Sequence, residues 1–130
     1  MSEFSNALSV SSSGLLAQSQ RLRHLSENIA NADTPGYRRK TVPFRTTMDA
    51  SGTPGIVQTG RVRMDQSELT RIYDPAHPMA DDTGSYDGSN VNLMIELADA
   101  REAQRSYEAN LKMFEQTRQM GRSLFDLLRR

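Results

Sequence analysis

Residues 92–130 read NLMIELADAREAQRSYEANLKMFEQTRQMGRSLFDLLRR, and this stretch decides the fold. Leu93, Ala100, Tyr107, Phe114, Gly121 and Leu128 recur every seven residues. Leu97, Gln104, Leu111, Arg118 and Phe125 form an interleaved row. A seven-residue repeat kept up this long specifies a seam that follows a partner helix with slight supercoiling, because an ordinary helix face drifts away from that period. The spacing predicts a helix over 92–130, with Asn90 or Asn92 as its cap. Glu108 to Lys112 and Asp126 to Arg130 are four apart in the favourable order. Met94, Met113, Met120, Leu124 and Leu127 fall off the seam and widen the apolar surface beyond what one neighbour covers.

The chain's beginning answers with a matching pattern. Leu8, Leu15, Leu22 and Ile29 lie seven apart, and Phe4, Ser11, Gln18, Leu25 and Ala32 form the companion row. No proline interrupts residues 1–34, and Ser2 or Ser5 can cap the start. A helix over 2–32 follows, roughly 46 Å long at 1.5 Å per residue. The expected fold is therefore mainly α, with two long terminal helices pairing as a coiled coil. Residues 1–32 and 92–130 would make one discontinuous core, and residues 33–91 a turn-rich middle that leaves and returns.

That middle holds all five prolines and six of the eight glycines. Residues 55–59, 61–64 and 69–73 are β-compatible, which predicts a small hairpin or three-strand patch too small to stand alone. Residues 51–55 read as a flexible connector, and residues 81–90 as a polar return loop. Asn28-Ile29-Ala30-Asn31-Ala32-Asp33-Thr34-Pro35-Gly36-Tyr37 carries the strongest turn signal. Pro35 presets the turn and Gly36 can take positive φ, a type II signature, so the first helix ends at a defined corner. Asn28 and Asn31 are placed to bond to the backbone of that corner.

Composition bounds the chemistry. At 130 residues one domain is expected, and the 16 basic and 16 acidic side chains cancel, so no global field drives attachment to nucleic acid or an acidic membrane. Leu, Ile, Val and Phe make up only about a fifth of the chain, a level at which a self-sufficient core becomes doubtful. The absence of cysteine excludes disulfides, thiolate metal sites and cysteine nucleophiles. No apolar run approaches the roughly 20 residues of a membrane span, and the start lacks a secretory pattern, so a soluble, unprocessed chain without membrane insertion is expected.

No set of residues promises catalysis. Asp74, His77, Asp81 and Asp82 could ligate a cation, yet the spacing shows no convergence, so neither a metal nor another cofactor is expected. His24 reads as a surface histidine. Ser9, Ser11, Ser12 and Ser13 have no elbow or base around them, and Gly52, Gly55 and Gly60 lack the lysine of a phosphate loop. An enzyme is not expected. The run Tyr37-Arg38-Arg39-Lys40, with Arg21, Arg23, Arg61 and Arg63, could hold phosphates, or it could meet an acidic protein surface; no nucleic-acid module surrounds it.

The run LSENIANADTPGYRRK, residues 25–40, resembles the N-terminal signature of the bacterial flagellar axial proteins, the rod, hook and hook-associated group. YDPAHPMAD at 73–81, NVN at 90–92 and AQRSYEANL at 103–111 resemble, in that order, the C-type proximal rod subunits of the flagellar basal body rather than the B-type. The compact TPGYRRK and GSYDGSNVN stretches depart from many C-type chains, which keeps another short rod subunit such as the B-type open. The resemblance implies a structural subunit whose terminal helices polymerise into a hollow helical drive shaft that transmits torque. It implies a periplasmic rod location, reached through the flagellar type III export apparatus without a cleaved signal. It also implies as partners further copies of the chain, the B-type and F-type rod proteins, the distal rod protein, and the adaptor that joins rod to MS ring. Nucleic acid is not among them. A cytoplasmic export adaptor using the same helices is the rival reading.

On this basis Leu8, Leu15, Leu22, Ile29, Leu97, Tyr107, Leu111, Phe114 and Phe125 are the expected packing and assembly positions. Asn28, Asn31, Thr34, Pro35, Gly36 and Tyr37 are the expected signature corner.

Overall fold

The computed structural model describes residues 2–48 and 54–129. Helix α1 spans Ser2–Ala30 and helix α2 spans Leu93–Leu128. Both lie within two residues of the bounds expected from the heptads. Between them run six short strands: β1 (Lys40–Thr41), β2 (Phe44–Met48), β3 (Pro54–Thr59), β4 (Arg63–Met64), β5 (Arg71–Tyr73) and β6 (Ser85–Asp87).

The helices pack antiparallel. Asn28 near the end of α1 meets Glu96 in the first turns of α2, Gly14 meets Asn110, and Phe4 lies beside Met120 and Leu124. Their buried surfaces mix small residues with a few larger ones. Ser11, Gly14, Ala17, Leu25 and Asn28 are the buried positions of α1, and Glu96 and Ala103 those of α2. A Cβ at Gly14 would sit 3.0 Å from the Asn110 amide, so any larger residue there would require the Asn110 side chain to give way.

Asn92 caps α2, as its spacing suggested. Its backbone is extended (φ −107°, ψ 111°) and its side-chain oxygen accepts the Met94 N–H at 3.0 Å, satisfying one of the amides that every helix start leaves free. Helix α1 frays through turns over Asn31–Thr34 and stops at Pro35, since a residue before proline is pushed out of the helical region. Gly36 has φ +74°, and the Tyr37 N–H returns to the Thr34 carbonyl at 3.2 Å, closing the type II turn.

The middle differs from the expected single hairpin or three-strand patch. It makes three separate two-stranded antiparallel ladders, β1 with β4, β2 with β3, and β5 with β6. The 61–64 run does not pair with 55–59. Its last two residues pair with Lys40 and Thr41 instead. Residues 71–73 pair with 85–87, which lie inside the stretch read as a polar return loop. The connector expected at 51–55 lies outside the described residues as far as 53, and from Pro54 onward the chain is strand β3. Strand β3 lies along α1, where the Val57 N–H donates to Ser13 Oγ at 2.9 Å and Thr59 Oγ1 donates to Gln20 Oε1. No helix among the described residues is long and apolar enough to cross a membrane.

Candidate assembly site and its polar corner

The corner is built around Asn28, which has no exposed surface. Its side-chain amide treats residue 40 as a neighbouring strand would. Oδ1 accepts the Lys40 N–H at 2.9 Å, and Nδ2 donates to the Lys40 carbonyl at 2.9 Å. The remaining capacity is filled as well, because the Tyr37 hydroxyl donates to Oδ1 at 2.9 Å and Nδ2 donates to Glu96 Oε2 at 3.3 Å. Burying an amide is tolerable only with such full pairing.

Glu96 is fully buried too. Arg39 Nε makes a close ion pair with its Oε1, and the same guanidinium reaches Asp99 Oδ2 at 3.0 Å. Removing one partner of a buried pair typically costs about 3–5 kcal/mol, because the other charge is left without compensation. The Arg39 backbone N–H donates to Asn90 Oδ1 at 2.7 Å, and Asn90 Nδ2 donates to the Asp65 carbonyl at 2.9 Å. Arg38 reaches the Asp65 and Ser67 carbonyls at 3.1 and 3.0 Å. Ser89 Oγ donates to the Ala32 carbonyl, and the Gly36 N–H is shared by the Asp87 and Gly88 carbonyls. The stretch leaving α1 and the stretch entering α2 are thus one knot.

The basic run is matched internally rather than offered to phosphates. Lys40 Nζ lies 3.0 Å from Glu27, Arg39 takes Glu96 and Asp99, and Arg21 lies 3.9 Å from Asp99 and 3.7 Å from Glu102. The hydrogen bond from Lys40 holds the Glu27 carboxyl below its ordinary value, and that bond raises the Lys40 ammonium. Burial pushes the Tyr37 phenol up. The acidic surface that the run meets is the chain's own, Glu27 on α1 and Glu96 and Asp99 on α2.

Other expected positions fall as follows. Asn31 Nδ2 donates to the Glu27 carbonyl, and its oxygen accepts from Thr34 Oγ1. His24 is half-buried rather than free in solvent. Its side chain is 17% exposed, Nδ1 has no hydrogen-bond partner among the described residues, and Glu27 Oε2 is 3.8 Å away. The histidine was misread because packing of residues 39–42 over α1 is invisible to helix periodicity. Asp74, His77, Asp81 and Asp82 do not converge: His77 stacks on Tyr86 at 3.9 Å, and Asp81 pairs with Arg71 at 2.7 Å and accepts the Thr83 and Ser85 amides. Among the described residues no group of acids and histidines could hold a metal ion.

Leu8, Leu15, Leu22 and Ile29 are half-buried and flank the tight seam of α1, while Tyr107 and Phe114 are half-buried on α2. Leu97, Leu111 and Phe125 are 49%, 37% and 53% exposed, so α2 turns that row outward. Met94, Met113, Met120, Leu124 and Leu127 are exposed with them. A groove of about 340 Å³ runs between Phe4, Leu8, Gly121 and Phe125, where the helices part.

Sequence reasoning missed Gly14, Glu96, Asp99 and Asn110, and it read Asn90 as a helix cap, whereas Asn90 accepts the Arg39 N–H and donates to the Asp65 carbonyl. The signal was a third heptad row, Glu96, Ala103, Asn110 and Thr117, too polar to read as a seam.

Comparison with known proteins agrees with this architecture at both ends. A family model described as flagella basal body rod protein matches residues 8–38, and one described as flagellar basal body rod FlgEFG protein C-terminal matches residues 83–127. A flagellar basal-body rod protein FlgC of Agrobacterium fabrum is 46% identical over 136 aligned positions, covering 99% of this chain and 98% of the relative. The chain belongs to the FlgC family of flagellar basal-body rod proteins. FlgC proteins of Borreliella burgdorferi and Escherichia coli O157:H7 are each 32% identical, over 95% and 88% of this chain and 96% and 90% of their own lengths. As a member of the FlgC family, the chain is a structural subunit of the flagellar basal-body rod.

Proposed function

We propose that the subunit polymerises through its terminal helices into a hollow helical drive shaft, and that this shaft transmits torque. The observation that carries the reading is an imbalance of apolar surface. Among the described residues only Ala17, Leu25 and Ala103 are buried apolar side chains, while Leu93, Ile95, Leu97, Leu111, Phe125 and Leu128 stand exposed along one helix. Fully burying each large apolar side chain supplies about 1.5–3 kcal/mol, which neighbouring copies can provide and the lone subunit cannot. Leu8, Leu15, Leu22 and Ile29 with Leu97, Tyr107, Leu111, Phe114 and Phe125 are the packing positions of this reading. In it α1 and α2 pair as a coiled coil, residues 1–32 and 92–130 form one discontinuous core, and 33–91 form the outer segment.

Repeated head-to-tail contacts around an axis give an open helical polymer. The partners in this reading are further copies, the B-type and F-type rod proteins, the distal rod protein and the adaptor to the MS ring. In this reading the chain reaches the periplasm through the flagellar export apparatus. Its part is mechanical, not catalytic.

Mass spectrometry and immunogold labelling of purified basal bodies, set against the cytoplasmic fraction, test this. Labelling of the proximal rod is the expected result. A protein found only in the cytoplasm would overturn the assembly reading and favour an export adaptor.

A further inference from the structure

The apolar rows on both helices repeat every seven residues, so sliding α2 by one heptad presents α1 with nearly the same surface. The close seam does not resolve this ambiguity, because Ser11, Ala17 and Ala103 are small and fit several registers. Within the helix pair two contacts do distinguish them, beside the ties of residues 87–90 to residues 32–39 that set where α2 begins. Gly14 lies fourteen residues before Asn28, and Asn110 fourteen after Glu96, so the Gly14–Asn110 and Asn28–Glu96 contacts read the same register two heptads apart.

We propose that the buried Asn28–Glu96–Arg39 hub is a register lock, selecting one of several heptad-related pairings of α1 with α2. Sliding one way sets Ala103 opposite Asn28 and carries Glu96 past the end of α1. Sliding the other way sets Arg21 opposite Glu96, a pairing of suitable charge, and is the closer competitor. What disfavours it is the Asn28–Glu96 contact: Asn28 keeps Lys40 and Tyr37 in any register, but its wholly buried amide is fully used only with Glu96 beside it. Arg39 adds direction, since its backbone is tied to Asn90 just ahead of α2 while its guanidinium reaches Glu96 and Asp99. A polar group buried in an apolar helix seam fixes register in this way because every wrong pairing leaves it unsatisfied. The lock acts within one subunit and does not depend on what the outer faces bind.

The cysteine-free chain permits a direct test. Spin labels on Ser26→Cys and Lys112→Cys, both exposed, report the axial offset of the helices in the full-length chain. One heptad of slip moves that offset by about 10 Å. The parent should show a single distance. Asn28→Leu/Glu96→Leu, which keeps volume while removing the polar pair, should add a second population displaced by up to about 10 Å. Leu25→Ala is the control: it weakens the seam without touching the hub and should keep one distance. A single unchanged distance in the double variant would overturn the lock. So would a second population in the control, a parent without one dominant distance, or loss of helical circular dichroism in the double variant, which would make the hub a source of stability alone.

Discussion

Gly14 on α1 faces Asn110 on α2, with the Asn110 side chain 3.0 Å from where a Cβ on Gly14 would stand. Gly14→Ala gains about 1 kcal/mol of helix propensity and sets it against a tight contact that the Asn110 side chain must relieve by shifting. Gly14→Leu cannot be absorbed and should cost about 1–3 kcal/mol. Asn110→Ala opens the space, so Gly14→Ala/Asn110→Ala should melt above the parent. A thermal double-mutant cycle reads the coupling, and simple additivity would show that the helices do not touch here.

Gly36 separates backbone strain from crowding. Its φ is +74° and nothing lies within 4 Å of a Cβ placed on it, so a substitution there meets strain alone. Gly36→Ala should lose about 1 kcal/mol in urea unfolding, and Gly36→Asn less, because asparagine tolerates left-handed backbone. Equal losses would count against the type II corner.

Leu111→Asp divides folding from assembly. The side chain is already 37% exposed, so the free subunit should lose little stability. Placing a charge in a helix-to-helix joint is far costlier, and rods should fail to incorporate the variant. Complementation of a deletion strain, scored by swarming and by basal-body yield, checks this. Normal motility would remove Leu111 from the interface.

Stability should be greatest between mildly acidic and mildly alkaline pH. Glu27 titrates below its ordinary 4.5 in the folded chain, so its contribution is present above that value and lost as pH falls through the folded one. Lys40 is raised above 10.5, so its contribution is full below that value and lost as pH rises through the folded one. Tyr37 is raised above 10.0 by burial, so the folded state holds its proton longer than the unfolded state, and stability falls above that pH. Lys40→Met should flatten both limbs, because it removes the Glu27 and Lys40 contributions together, and Tyr37→Phe only the alkaline one, read as urea midpoints across pH.

Residue by residue, the helices were legible because heptad spacing is a local property. Leu8 to Ile29 and Leu93 to Leu128 announce themselves without knowledge of a partner. The Pro35–Gly36 turn was legible for the same reason. Strand pairing was not: Lys40 meets Met64, and Tyr73 meets Ser85, across intervals that no short-range pattern spans. The hub was hidden more deeply. Glu96 reads as an ordinary exposed helix acid until Arg39, 57 residues earlier, is brought against it. Likewise His24 reads as solvated until residues 39–42 cover it.

So few buried apolar side chains leave a calorimetric trace. A chain of this length ordinarily unfolds with a heat-capacity increment of roughly 1.6–2 kcal/mol/K, most of it from newly wetted hydrocarbon. With Ala17, Leu25 and Ala103 the apolar side chains wholly buried among the described residues, and Leu8, Leu15, Leu22, Ile29, Tyr107 and Phe114 only half-buried, the isolated subunit should fall short of this, and its stability should curve more gently with temperature. The missing increment belongs to the step that joins one copy to the next. That step should show the strongly negative heat-capacity change of apolar association, so the joints between subunits, more than the subunits themselves, should respond to warming and cooling.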